Sequence, residues 1–378
     1  MTTNKNFIFA VATLVGAIVG LGMFGIPYTA SKAGFFVGVM YLVALGGVMT
    51  LVHLVTGEIV ERTRGKHRLT GYIEKYLGIG AKRVAGAIII FAVCAALLAY
   101  IVVAGKFLEL IFGDFSNAIV MSLAFWAVMS LMVVRGIKVI GVAELVMATL
   151  LILFTVIIFV VGARDVSIEN LSGFNLASFF LPYGVIIFAL DGSFAVPEIR
   201  EFLKIDGKIY KRAIVAGTLI PLFIYLVFMI LVVGVSGDDT SQEAMAGLIP
   251  YLGAGVVGVG AIFGLLAIAT SYLVLGVNLR HTFEYDWNIK GWLAGLVVVV
   301  VPALVFVLGF QKFIEVISFS GAVFGAVIFV FTLLVYLKAQ KHGDKKPGYA
   351  LNLPKFVVYS IGVLFALGGV YEIIRLIT

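Results

Sequence analysis

The sequence predicts an all-α integral membrane protein of about eleven transmembrane helices. They form two five-helix halves of opposite orientation plus one extra helix, and spans 1 and 6 are broken. Three observations carry this. The chain is 62% hydrophobic and only 12% charged, whereas soluble domains carry about a quarter charged residues. Apolar runs of the roughly 20 residues needed to cross a hydrocarbon core recur along its whole length. One pattern also occurs twice, 170 residues apart: Gly22-Met23-Phe24-Gly25-Ile26-Pro27 and Gly192-Ser193-Phe194-Ala195-Val196-Pro197. The alternating strands of an outer-membrane barrel are not seen.

In chain order, apolar runs bounded by charged or turn-rich breaks predict spans at 7–30, 36–60, 82–112, 116–134, 139–162, 176–198, 209–234, 252–282, 290–308, 312–336 and 354–376. The first stretch, Phe7 to Ser31, carries no charge and is too long for a signal-peptide core, so it reads as retained structure. The basic residues segregate. Arg62, Arg64, Arg68, Lys75, Lys82 and Arg83, then Arg200 to Arg212, then Lys338 to Lys355 all fall on the side of the N-terminus. The opposite side keeps Lys32, Lys106, Arg164, Lys312 and Arg375, with an acidic loop through Asp238, Asp239 and Glu243. The positive-inside rule then puts the N-terminus in the cytoplasm, the C-terminus outside, and the protein in the cytoplasmic (inner) membrane. This asymmetry accounts for the net charge of +7, and nothing reads as nucleic-acid binding. Cys94 has no cysteine partner and reads as a small core hydrophobe.

The same 170-residue offset maps spans 2 to 5 onto spans 7 to 10, which predicts repeats at 1–162 and 163–336, with 337–378 as a loop and an eleventh helix. Because five is odd, the second repeat enters the membrane from the other side, as in many secondary transporters. The glycines of Gly16-Ala17-Ile18-Val19-Gly20-Leu21-Gly22 each give up about 1 kcal/mol of helical preference relative to alanine, so this run either unwinds or packs closely on a neighbour.

Asp191 stands mid-span, where a carboxylate costs about 2.5–3.5 kcal/mol. Its partner is a substrate ammonium, a coupling cation, a proton of its own, or the exposed amides of the break. An unwound helix presents amides on one side of the gap and carbonyls on the other. Here the amides of Gly22, Met23 and Phe24 would take a carboxylate, and the carbonyls of Phe188 and Ala189, with Asp191, would take an amine; Ile18 and Gly20 line the same gap. His53, Glu144 and the Lys106/Glu109 pair read as structural.

Four segments together resemble the amino acid/auxin permease family and its bacterial aromatic amino acid permeases, within the amino acid–polyamine–organocation superfamily. They are GAIVGLGMFGIPYTASKAGF (16–35), LAYIVVAGKFLEL (98–110), IIFALDGSFAVPEI (186–199) and AIATSYLVLGVNL (267–279). The resemblance implies a leucine-transporter-type fold, a neutral or aromatic amino acid as substrate, and symport with Na+ or H+. It places a sodium site on the carbonyls of Gly16, Val19 and Ala267 and the hydroxyls of Thr270 and Ser271, oxygen donors that suit a hard cation. It puts Tyr100 on the pocket wall, and Phe188 and Phe194 at the helix 6 break as covers for the substrate. Asp191 departs from the small or hydroxyl residue usual at its position, which leaves substrate polarity and coupling ion open.

The competing reading is a gated channel or facilitator for a small amine or ion, which would more naturally show a continuous polar pore. The sequence carries no catalytic motif and calls for no cofactor beyond the coupling ion. The partners it implies are an amino acid and the lipid bilayer, with no oligomer required.

Overall fold

In the computed structural model, the structure describes residues 3–65, 67–113, 117–136, 141–203, 206–286 and 289–377. The predicted starts of spans 4 and 5, at 116 and 139–140, and the side chain of Glu144 lie outside the described residues. Among those described, fifteen α-helices and no strand are found. They are α1 (Thr3–Ile18), α2 (Gly22–Ala33), α3 (Phe35–Arg62), α4 (Leu69–Leu77), α5 (Ile79–Phe112), α6 (Ala118–Val134), α7 (Gly141–Gly162), α8 (Leu181–Leu190), α9 (Ala195–Leu203), α10 (Gly207–Ser236), α11 (Ile249–Asp286), α12 (Gly291–Val307), α13 (Phe313–Phe319), α14 (Gly325–His342) and α15 (Lys355–Ile377).

Seven of the described spans are long and apolar enough to cross a membrane, and the bent pair α1 and α2 adds an eighth. Three shorter apolar helices, Ala118–Val134, Thr149–Gly162 and Gly291–Val307, occupy the places of expected spans 4, 5 and 9. Span 1 bends by 58° between α1 and α2, and span 6 is interrupted at Asp191–Phe194, between α8 and α9. Span 10 holds a π-helical turn at Ser320–Phe324 between α13 and α14. The expected span 8 begins three residues earlier than predicted and carries a non-helical Gly253 (φ 78°). The amphipathic α4 was not expected.

Sharp connections set the layout. Between α2 and α3 a single residue, Gly34, turns the chain at φ 104°, and a Cβ there would lie 2.4 Å from the Gly173 carbonyl oxygen. Only glycine meets both demands. α10 packs on α1, α2 and α3, while α11 packs mainly on α5, α7 and α12, and α2 packs on α8. The two broken spans therefore sit inside the bundle.

At the end of the bundle where α1 starts, residues 344–351 are docked rather than left to solvent. Buried Glu58 accepts from Arg62 Nε (2.8 Å) and the Leu351 amide (2.6 Å). Buried Glu61 pairs with Arg200 of α9 and accepts from the Gly348 amide (2.8 Å). Tyr349 donates to the Leu54 carbonyl (2.7 Å), and Asp344 accepts from the Arg64 amide (2.7 Å) and pairs with Lys75. Arg62, Lys75 and Arg200, three of the basic residues on the side of the N-terminus, are thus engaged by protein carboxylates. Just past the first break Phe24 is fully buried, edge-on to Phe107 (5.1 Å) and Phe228 (5.9 Å). Lys106 and Glu109 pair as expected (3.4 Å).

Candidate functional site

The two breaks meet each other through glycines. A Cβ on Gly22 would lie 2.5 Å from Ala189 Cα in α8, and one on Gly192 would lie 2.6 Å from Ile18 Cγ1 in α1. Each glycine is thus the contact point for the other broken span, the close-packing reading of the glycine run. Gly20 differs: a Cβ there would have no neighbour within 4 Å, so it borders open space.

The backbone of the first break corrects one expectation. The Met23 and Phe24 amides turn back to the Gly20 and Leu21 carbonyls, at 3.3 and 3.2 Å, so they are already bonded. The amides without a backbone acceptor among the described residues are those of Gly20, Leu21 and Gly22. The amides left without a backbone acceptor thus begin two residues earlier than expected, and the Met23 and Phe24 side chains lie in the core.

In the second break Asp191 Oδ1 accepts from the Ser193 amide at 3.0 Å, so one carboxylate oxygen caps the break. The Asp191 side chain is only partly buried. Ser193 Oγ, next to it, is buried without a hydrogen-bond partner. Phe194 is exposed and Phe188 partly so. Phe188 is fixed from behind by the π-helical turn, since a Cβ on Gly321 would lie 2.7 Å from the Phe188 nitrogen.

Two side chains that sequence reasoning missed or underrated hold these breaks. His53 of α3 is fully buried; its Nε2 accepts from the Gly192 amide (3.1 Å) and its Nδ1 lies 2.9 Å from Thr218 Oγ1 in α10. Thr218 Oγ1 lies 2.9 Å from the Ile214 carbonyl, to which it donates its own proton. The chain is consistent in one way only: the imidazole is neutral, Nδ1–H donates to Thr218, and Nε2 accepts.

Two turns further along α10, fully buried Tyr225 directs its hydroxyl to the Ile18 carbonyl (2.7 Å) and the Ala189 carbonyl (3.0 Å). One phenol proton is shared between the ends of both broken spans. The Ala189 carbonyl, expected to receive an amine, already accepts one hydrogen bond here. The spacing of Thr218 and Tyr225 on one helical face was visible in the sequence, but nothing there linked them to partners in distant spans. Tyr100, 7% exposed in α5, is an electrostatic neighbour of Tyr225 and lies 6.5 Å from the Tyr272 ring, which brings it to the site.

The expected ion ligands are less tightly assembled. Thr270 Oγ1 donates to Ala267 O at 2.9 Å within α11, while Gly16 and Val19 are buried in and just after α1. Thr270 and Ser271 are partly exposed. α1 packs chiefly on α10, α7 and α9, and α11 on α5, α7 and α12, so the two halves of that set share α7 as a neighbour.

The chain is 27% identical over 348 residues to tyrosine-specific transport system 2 of Haemophilus influenzae, covering 85% of this chain and 84% of that one. It is 21% identical over 374 residues to tyrosine-specific transport system 1 of the same organism, covering 93% of each. It is 23% identical over 342 residues to glutamine transporter 2 of Aliivibrio fischeri, covering 87% of this chain and 88% of that one. Its fold matches the crystal structure of MhsT in complex with L-phenylalanine with a TM-score of 0.64 at 15% identity, covering 98% and 97% of the two chains. The fold is of the leucine-transporter type. The tryptophan/tyrosine permease family model matches residues 3–374. With broken spans packed on one another at the centre of this multi-pass bundle, and relatives that are permeases rather than enzymes, the chain belongs to the tryptophan/tyrosine permease family.

Proposed function

We propose that the chain is a secondary active transporter that carries a neutral amino acid, aromatic or of similar size, into the cytoplasm in symport with Na+ or H+. The observation that carries this reading is the pairing of amides at Leu21 and Gly22, which have no backbone acceptor among the described residues, with the Asp191 carboxylate, in two breaks packed on each other. Helix-terminal amides at a positive dipole end suit a carboxylate, and a carboxylate suits an ammonium, so a zwitterion satisfies both. The names of the relatives, tyrosine and glutamine transporters, support an amino acid. Open space at Gly20 and the exposed Phe194 ring leave room for a side chain.

Alternating access follows from exchange of roles between repeats at 1–162 and 163–336, with 337–378 outside them, in the cytoplasmic membrane with the N-terminus inside and the C-terminus outside. If sodium couples, Gly16, Val19, Ala267, Thr270 and Ser271 are its ligands. If protons couple, Asp191 is the carrier.

The test is uptake by proteoliposomes of L-tyrosine, L-phenylalanine, L-tryptophan and L-glutamine, with sodium and proton gradients imposed separately. Saturable accumulation driven by one gradient is expected. Flux that neither saturates nor accumulates substrate would favour a gated channel or facilitator instead.

A further inference from the structure

A break in a membrane-spanning helix must find new partners for the backbone groups it frees. At the second break one of those partners is a titratable side chain. His53, fully buried in α3, accepts from the Gly192 amide through Nε2 at 3.1 Å, and its Nδ1 lies 2.9 Å from Thr218 Oγ1. Thr218 gives its own proton to the Ile214 carbonyl (2.9 Å), so Nδ1 carries the imidazole proton and Nε2 is the nitrogen left to accept. An imidazolium has two N–H donors and no acceptor. A proton on Nε2 and the bond from Gly192 therefore exclude each other. His53 lies nine residues before Arg62, the end of α3, about 13 Å along the axis, and α3 packs on both α8 and α9.

The other charged and titratable groups on the elements packed against α3 are engaged or lie toward its ends. The break supplies Asp191, which caps the Ser193 amide. α9 supplies Glu198 and Arg200, paired with Arg68 and Glu61, and Glu58 of α3 itself pairs with Arg62. α10 supplies Tyr210 and Tyr225, which donate to backbone carbonyls, and α14 supplies Tyr336, which accepts from Gln340. The lysines and Arg212 of α10, and Lys338, Lys341 and His342 of α14, fall in the terminal turns of those helices. Tyr28 and Lys32 of α2, Tyr183 of α8 and Glu169 belong to the end where α3 starts.

We propose that His53 is a latch that couples proton uptake to the release of α9. Neutral, it holds the Gly192 amide against α3; protonated at Nε2, it lets that amide go. The proton comes from the aqueous phase and stays on Nε2, and the Gly192 amide passes to water. A free imidazole changes charge near about pH 6.5. The latched form lacks the proton that the released form binds, so the latch holds above that range and weakens as pH falls. His53 is a positioning residue: it acts on transport through the break that carries Asp191. For its consequence this rests on the transport reading, to which it adds the proton as the species that moves the second break.

The experiment is hydrogen–deuterium exchange of the segment 190–203 in the full-length protein without substrate, from pH 8 to pH 5.5, corrected for the intrinsic pH dependence of amide exchange. Wild type is compared with His53→Gln, whose side-chain carbonyl can accept from Gly192 and whose NH2 can donate to Thr218, but which does not titrate. Wild-type protection is expected to fall roughly 10-fold over that range, as one proton taken up per release requires, and that of His53→Gln to stay within about 2-fold. His67, His281, His342 and Asp191 are present in both proteins, so they cancel in the comparison. Protection that does not change with pH in the wild type, or that falls equally in His53→Gln, overturns the latch and leaves the transport reading untouched. If His53→Gln does not fold, Thr218→Val decides: loss of the Nδ1 acceptor weakens the latched form, so release should move to higher pH, and an unmoved midpoint overturns the proposal. The expected exchange pattern in a protein that accumulates no amino acid in proteoliposomes supports the latch and brings down the transport reading alone.

Discussion

The break at Val19 to Leu21 and the break at Asp191 to Phe194 both interrupt an apolar span, and each leans on the other through a glycine, yet they are held in different ways. The first has no polar side chain of its own: no charge between Phe7 and Ser31, a 58° bend, amides at Gly20 to Gly22 left without backbone acceptors, and one outside hydroxyl, that of Tyr225, on the Ile18 carbonyl. The second is built from side chains. Asp191 caps the Ser193 amide, His53 accepts from the Gly192 amide, and Thr218 fixes the imidazole tautomer. Beyond it, α9 is laced to its surroundings by Glu61–Arg200 and Arg68–Glu198 (3.3 Å). One buried hydroxyl from outside holds the first break, whereas a set of polar side chains holds the second.

The largest effect is expected where that contrast meets backbone. Gly22→Ala drives a Cβ to 2.5 Å from Ala189 Cα, an atom that cannot yield. Destabilisation of about 3 kcal/mol, at the top of the usual overpacking range, should appear as a lower melting temperature together with loss of uptake. Wild-type stability in that variant would break the picture of meshed spans. Next comes His53→Ala, which orphans a buried amide and the Thr218 partner; a cost of about 2 kcal/mol is expected. His53→Gln, which keeps an acceptor, should recover part of both stability and transport. If alanine and glutamine behave alike, the second break does not depend on the clamp.

Gly192→Ala should cost less, about 1 kcal/mol, because its Cβ meets the ends of Ile18 and Leu14, which can rotate away. Gly20→Ala should leave stability within about 0.5 kcal/mol, since the space beside it is open. Its effect belongs to the ligand, with uptake of the bulkiest amino acids lost first, and equal loss for small and large ones would remove Gly20 from the pocket.

The smallest effect concerns pH. The Lys75 ammonium and the Arg64 amide hold the Asp344 carboxyl below its ordinary value of 3.8. A lowered folded value means that this contact stabilises the fold above about pH 4 and fades as pH falls through the folded value. Melting curves of Asp344→Asn and wild type should therefore differ slightly at neutral pH and converge in strong acid. A difference that persists there would mean that Asp344 acts through packing.

Much of this architecture was legible because bilayers impose length and composition: the apolar runs, the Gly-rich stretch before Pro27 and the charge at Asp191 mark the spans and both interruptions. What escaped was direction. His53 is a lone polar residue in an apolar helix, and its two nitrogens acquire roles only from Thr218, 165 positions away, and Gly192, 139 positions away. Tyr225 reads as one more aromatic in a hydrophobic run until two carbonyls from different halves converge on it. The Met23 and Phe24 amides, expected to be open, are used by a tight turn, which depends on local dihedral angles rather than composition. Likewise Glu58 and Glu61 gave no hint that they receive backbone amides from residues 348–351, since a loop that docks through its main chain leaves no pattern in its side chains.

The bend in span 1 also has a mechanical consequence. At 1.5 Å per residue, α1 is a lever about 24 Å long and α9 one of about 13 Å. A rotation of about 10° at each break would sweep the tip of α1 by roughly 4 Å and that of α9 by roughly 2 Å, given those lengths. For equal rotations the tip of α1 therefore travels about twice as far as that of α9, simply because its arm is longer.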